Sequence, residues 1–175
     1  TQDYSRQRGY CSREHMRLPN LTTLIYITRG DECLFIRKTR ENDMNHDKWL
    51  GIGGHFEDGE SPEECICRET EEETGITRER LTDLSLRGIV TFVSDEYGTE
   101  YMHVFTAVLE PGYELPITGC DEGELSWVSL ADIRKLPVWE GDLLMFDCLF
   151  GSRSFFTLKL TYDGSRLAGH NVKLY

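Results

Sequence analysis

Residues 53 to 76 constrain this chain more than any other stretch. They begin Gly53-Gly54-His55-Phe56-Glu57-Asp58-Gly59-Glu60-Ser61-Pro62-Glu63-Glu64 and end Arg68-Glu69-Thr70-Glu71-Glu72-Glu73-Thr74-Gly75-Ile76. Ser61 suits an N-cap, Pro62 the first helical position, and Glu63 and Glu64 the positive end of a helix. Gly75 suits the stop. The sequence therefore predicts a helix over 61–74 behind a glycine-rich loop whose backbone can bend close to a ligand. Glu69, Glu72 and Glu73 are spaced i, i+3 and i+4, so they share one helix face. Three like charges there repel unless something positive sits among them. A hard divalent cation such as Mg²⁺ takes carboxylate oxygens and keeps positions open for phosphate oxygens and water. Arg68 can reach Glu72 one turn on and hold it in place. On the acids alone, a solvated acidic face is the competing reading.

The rest of the chain reads as strands and few helices. A β-branched run at 22–29, a turn at Gly30-Asp31 and a return over 33–38 predict a hairpin. Residues 39–48 are polar and read as a loop. Segments 85–94 and 100–110 predict a second hairpin around Asp95-Glu96-Tyr97-Gly98. A short strand at 124–128, a short helix at 130–135 ended by Pro137, and a helix at 141–150 follow. Residues 155–162 and 167–174, around Asp163-Gly164, predict a last hairpin. This mixture implies an α/β fold, a mixed sheet with helices on both faces.

At 175 residues, with 39 % hydrophobic and 29 % charged, the chain suits one packed domain. Acids outnumber bases 31 to 19, a net charge of −12. That argues against gripping long nucleic acid, which needs many Lys and Arg on phosphates. A small phosphorylated ligand is compatible if a divalent metal supplies positive charge. The start of the chain is locally basic. Arg6, Arg8, Arg13 and Arg17 oppose only Asp3 and Glu14, so 1–21 reads as a basic arm before a single domain over 22–175. No run of about 18 apolar residues predicts a membrane span, and no signal peptide is visible. Cys11, Cys33, Cys65, Cys67, Cys120 and Cys148 form no metal or redox spacing. They read as reduced thiols of a cytoplasmic protein.

The 54–76 stretch resembles the Nudix box: Gly, five residues, Glu, seven residues, then Arg-Glu-aliphatic-x-Glu-Glu-x-Gly-aliphatic. Gly54, Glu60, Arg68, Glu69, Glu72, Glu73, Gly75 and Ile76 match it, and Thr70 stands where an aliphatic residue is usual. The resemblance implies an α/β/α sandwich and hydrolysis of a nucleoside diphosphate linked to another group. It extends to Trp49–Gly54 and to Glu122, Trp127 and Trp139 to Asp142. These resemble the MutT-like enzymes that sanitise nucleotide pools, including 8-oxo-dGTP diphosphatases. By that resemblance a triphosphate becomes a monophosphate and pyrophosphate. Glu72 and Glu73 would ligate Mg²⁺ (Mn²⁺ as a substitute) with the Gly53 carbonyl. Glu69 would be a further ligand or the base, Arg68 would orient it, and Glu60 would support the loop. The family subgroups acting on ADP-ribose or dinucleoside polyphosphates carry marks near residues 91–93 that Thr91, Phe92 and Val93 lack.

Substrate contacts are more open. Leu50 stands where the sanitising enzymes often have Asn and cannot hydrogen-bond a purine. Trp139 is followed by Glu140, Gly141 and Asp142, one acid short of the pair usual there. Trp139 either stacks on a base or anchors a loop. Asp142 and Glu122 are pocket acids or surface acids. Arg37, Lys38 and Arg40 meet phosphate or are solvated. His55 touches phosphate when protonated or faces solvent, and His103 reads as structural. The expected ligand is a small nucleotide or diphosphate. The arm serves an acidic ligand or packs on the acidic body of a second subunit, which would make a homodimer. The competing classes are a Nudix hydrolase of another diphosphate and a non-catalytic nucleotide-binding regulator.

Overall fold

Alternation along two adjacent strands builds two cores. In a strand successive side chains point to opposite faces. Ile25 and Ile27, with Leu34 and Ile36, lie on one face, while Tyr26, Cys33 and Phe35 lie on the other. The computed structural model describes residues 19–175. Its strands are β1 (Asn20–Arg29), β2 (Glu32–Lys38), β3 (Trp49–Leu50), β4 (Ile52–His55), β5 (Leu81–Ser94), β6 (Gly98–Leu109), β7 (Gly119–Cys120), β8 (Gly123–Ser129), β9 (Phe156–Asp163) and β10 (Arg166–Leu174). Its helices are α1 (Pro62–Thr74) and α2 (Glu140–Gly151). The sheet runs β10-β9-β5-β6-β1-β2-β8-β7, with β3 beside β2 and β4 beside β1. The β1–β6 and β5–β9 pairs are parallel and the other pairs antiparallel, so the sheet is mixed. Ile66 of α1 closes the core with Ile25 and Ile52. Met145, Phe146 and Leu149 of α2 close the opposite core against Tyr26, Phe35 and Phe156. The result is an α/β/α sandwich.

The helix α1 has the ends its sequence predicts. Ser61 Oγ accepts from the Glu64 N–H and the Glu64 carboxylate accepts from the Ser61 N–H, a reciprocal cap. Gly75 ends the helix at φ 75°, a left-handed conformation that glycine adopts without strain. Other boundaries differ. β1 begins at Asn20, two residues ahead of the expected 22. The 130–135 helix is a single 3₁₀ turn over Ile133–Lys135. The glycine-rich stretch contains strand β4, which the sequence reads as loop. Residues 1–18 of the basic arm, with Cys11, lie outside the described residues. Among the described residues, no helix is long and apolar enough to cross a membrane. Cys33, Cys65 and Cys148 are buried, Cys67 and Cys120 are half-buried, and all five are free thiols.

Thr70, the departure from the usual aliphatic residue, is fully buried under α1, and its Oγ1 has no partner. A buried hydroxyl without a hydrogen bond costs free energy that a methyl group of the same shape does not. Thr70→Val is therefore expected to stabilise the fold by about 1 kcal/mol, raising Tm by roughly 2–4 °C for a chain of this size. Thermal unfolding of the two proteins checks it.

Candidate active site

The site begins with a glycine contact. β4 lies antiparallel to β1, with Gly53 opposite Leu24 and Gly54 opposite Thr23. A Cβ on Gly53 would collide with the Thr23 carbonyl, and one on Gly54 would overlap the Glu69 carboxylate. Gly53 needs glycine because the β1 backbone closes on it, whereas a side chain at Gly54 would displace the Glu69 carboxylate. That approach brings the loop before α1 against the acidic face of α1.

Arg68 holds that face together. Its Nε donates to Glu60 Oε1 at 2.6 Å and its Nη2 to Glu60 Oε2 at 2.9 Å, a two-pronged pair. Its Nη1 donates to Glu69 Oε1 at 2.8 Å and to Glu72 Oε2 at 3.3 Å, and Nη2 also reaches the His55 carbonyl at 3.0 Å. Arg68 thus binds the loop to the helix and fixes Glu69. The guanidinium, with the Glu57 N–H, holds the Glu60 carboxyl down to about 2. Cys65 sits behind this network, its Sγ 3.3 Å from Thr23 Oγ1 and 3.5 Å from the His55 carbonyl.

Glu73 is different. It is only 7 % exposed, and its Oε2 accepts from the Gly53 N–H at 3.4 Å. Burial pushes its carboxyl up to about 7, Glu69 and Glu122 add to the rise, and the Lys38 ammonium opposes it. Glu72 is 58 % exposed and is not among the residues that line the adjoining cleft, so packing does not fix its carboxylate. Among the described residues, no three carboxylate, imidazole or thiol groups converge on one point as they stand. The donor set still fits a hard divalent cation in kind. It offers carboxylate oxygens on one helix face, and a buried acid whose ionised form wants a positive neighbour.

A cleft of about 530 Å³ opens beside these acids. Glu69 and Glu73 line it, with Gly53, Gly54, His55, Lys38 and Glu122. Leu50, Trp139 and Asp142 line it too, so most of the residues singled out in the sequence share one cavity. Lys38 donates to Glu122 Oε2 at 3.0 Å, and Arg40 pairs with Glu122 Oε1 at 3.4 Å. Arg37 is a correction to the expected phosphate contact. It lies on the opposite side of β2 from Lys38, pairing with Asp47 and Glu124 at the surface rather than lining the cleft. Lys38 takes the inward position. His103 has its Nδ1 3.2 Å from the Thr22 carbonyl and its ring near Phe56, a structural setting.

Trp139 is the N-cap of α2 and is nearly buried. Its ring meets Tyr162 edge-on at 5.3 Å and Phe92 at 6.1 Å. Its Nε1 donates to Asn45 Oδ1 at 2.8 Å, and Lys48 Nζ lies 4.7 Å from the ring centre. Trp139 therefore anchors the 39–48 loop against α2. Three residues on, Asp142 is 9 % exposed, and burial pushes its carboxyl up to about 7, against the backbone at Trp139 and the Lys48 ammonium. Gly141, where a second acid is usual, has no room for one. A Cβ there would press on Leu160 and the Tyr162 hydroxyl, to which Gly141 N–H donates at 2.7 Å. Sequence reasoning missed Asn45, Met44 and Thr22, all of which line the cleft. No local signal marks them, because the Asn45–Trp139 bond spans 94 positions of chain.

The chain matches the NUDIX domain family over residues 18–147. It belongs to the Nudix family and is a pyrophosphohydrolase of that family. It is 30 % identical over 135 residues to the uncharacterized Nudix hydrolase YvcI of Bacillus subtilis, a match covering 75 % of this chain and 80 % of the relative. It is 28 % identical over 137 residues to the oxidized purine nucleoside triphosphate hydrolase of Danio rerio, covering 77 % and 82 %. Among solved structures it is similar to a mutator MutT protein from Bacillus halodurans. That likeness has a TM-score of 0.75 and 26 % identity, and it covers 87 % of this chain and 97 % of that one.

Proposed function

We propose that the protein hydrolyses a nucleoside triphosphate to its monophosphate and pyrophosphate in the cleft between α1 and the 39–48 loop. One observation carries the reading. Glu69 and Glu73 of α1 share a single cavity of about 530 Å³ with Thr22 and Asp142, whose side chains each carry a buried oxygen without a partner, Thr22 Oγ1 and Asp142 Oδ2. The volume is within the usual range for small-molecule sites. Orphaned polar atoms in such a wall suit a ligand that supplies the missing hydrogen bonds. The phosphates would lie toward Glu69 and Glu73, and the base toward Trp139 and Asp142.

Glu72 and Glu73, with the Gly53 carbonyl, would hold Mg²⁺ or, in its place, Mn²⁺. The bound ion supplies charge neutralisation on the phosphates and acidifies water. The chain's own groups do the rest. Arg68 keeps Glu69 Oε1 in place, and Glu69, which lines the cleft, would accept the proton of the attacking water on its other oxygen. Glu60 fixes Arg68. Lys38, released from Glu122, gives the phosphates a counter-charge. The likeness to the oxidized purine nucleoside triphosphate hydrolase supports a purine triphosphate, 8-oxo-dGTP among them.

A panel tests this reading: the dNTPs and NTPs, 8-oxo-dGTP, ADP-ribose and a dinucleoside polyphosphate, each with Mg²⁺ and with EDTA. Metal-dependent turnover of a triphosphate supports it. Turnover confined to ADP-ribose or a dinucleoside polyphosphate would replace the substrate, and no turnover at all would favour a binding module.

A further inference from the structure

The base end of the cleft has a polar group that the sequence pattern does not announce. Leu50 lines the wall with no hydrogen-bonding atom, and Gly141 has no side chain. The 39–48 loop brings an amide to the same place. That loop is held by its own backbone: Lys38 N–H donates to Lys48 O at 3.0 Å, Asp47 N–H to Lys38 O at 2.9 Å, and Lys48 N–H to Asn45 O at 2.8 Å. Asn45 N–H also donates to Asp43 Oδ1 at 2.8 Å. Asn45 is therefore fixed at its backbone and again at its side chain.

The side-chain bond also sets which way the amide faces. Indole nitrogen can only donate, so the Asn45 atom at 2.8 Å from Trp139 Nε1 is the oxygen. The Nδ2 amine is then the atom left over. It has no partner among the described residues, and Asn45 lines the cleft. Asp142 lines the same cleft with its buried Oδ2 unpartnered. Lys48 lies over the Trp139 ring, and Asp43, which accepts from the Asn45 N–H, also lines the cleft.

We propose that Asn45 is a specificity-determining residue: its fixed Nδ2 donors select a base that presents a ring carbonyl, and Asp142 takes the adjacent ring N–H. The inference rests on the nucleoside triphosphate reading. A 6-oxopurine or 4-oxopyrimidine edge offers an acceptor beside a donor and satisfies both groups. A 6-aminopurine or 4-aminopyrimidine edge offers the reverse. Its amino group would meet the Asn45 amine donor to donor, leaving buried groups unpaired on both sides. The Trp139 bond makes the choice sharp, because turning the amide over would set two donors against each other at the indole.

Asn45→Asp tests this with little change in shape. A carboxylate oxygen still accepts from Trp139 Nε1, while the other oxygen replaces the donors with an acceptor. Steady-state kinetics would compare dGTP with dATP and dTTP with dCTP. Metal-free calorimetry with dGMP and dAMP gives a second readout that does not depend on turnover. The wild-type protein is expected to favour the carbonyl base of each pair. Asn45→Asp is expected to lower that preference by roughly tenfold or more, chiefly through KM. Asn45→Ala, the second variant should the first not fold, is expected to bring the two bases of each pair close to parity. An unchanged preference in both variants, or a wild-type preference for amino bases, overturns the proposal. If the wild-type protein hydrolyses no nucleoside triphosphate and binds neither monophosphate, the nucleotide reading itself fails and this inference falls with it.

Discussion

Glu73→Gln is expected to lower kcat by about a hundredfold or more, the usual scale for losing a metal-site group, while raising thermal stability. The two effects come from the same burial. Glu73 is 7 % exposed beneath the loop, and burial pushes its carboxyl up to about 7. An ionised carboxylate there is costly to the free fold. Gln keeps the volume and the acceptor for the Gly53 N–H at 3.4 Å. It removes the charge, so it relieves the fold and empties the site of the donor that a divalent ion needs. A purely structural role predicts the opposite pairing, lower stability with activity falling only in step. Kinetics at several Mg²⁺ concentrations beside a melting curve at pH 8 separate the two. Wild-type kcat in the variant would remove Glu73 from the mechanism.

Asp142 should make the protein less stable as pH rises through neutrality. An Asp ionises near 3.8, and burial pushes Asp142 up to about 7. Between those values the folded chain keeps a proton that the unfolded chain has released, so stability falls as pH rises. The loss is complete above pH 7 and amounts to roughly 4 kcal/mol at most, at about 1.4 kcal/mol per pH unit. Glu73 adds a component of the same sign over the upper part of that window. Glu60, held down to about 2, changes stability only at acid pH. In EDTA, Asp142→Asn is expected to be more stable than the parent at pH 8 and close to it at pH 4.5. The Glu73→Gln, Asp142→Asn pair should flatten the profile further. Melting curves from pH 4.5 to 8 measure this, and an unaltered slope in Asp142→Asn would show that its carboxyl is solvated.

Helix α1 was legible because its ends are written locally: Ser61 and Glu64 cap each other, and Gly75 turns left-handed within one residue of the last turn. The acids on its face follow from helical spacing alone. β4 was not legible as a strand. Glycines argue for a loop unless a neighbouring backbone comes too close for any side chain, and the approach of Thr23 to Gly53 is a tertiary fact. The choice between Arg37 and Lys38 was equally hidden. Two adjacent bases at a strand end point to opposite faces, and composition cannot say which faces the cleft. The base end was least legible, because Asn45, Leu50, Trp139 and Asp142 meet only when the 39–48 loop folds onto the start of α2.

The most direct measurement is the product balance of one triphosphate turned over with Mg²⁺. Water attack that releases pyrophosphate predicts nucleoside monophosphate and pyrophosphate in equal amounts, with no diphosphate and no free phosphate, and both products absent in EDTA. Nucleoside diphosphate with inorganic phosphate, or turnover that persists in EDTA, would contradict the account.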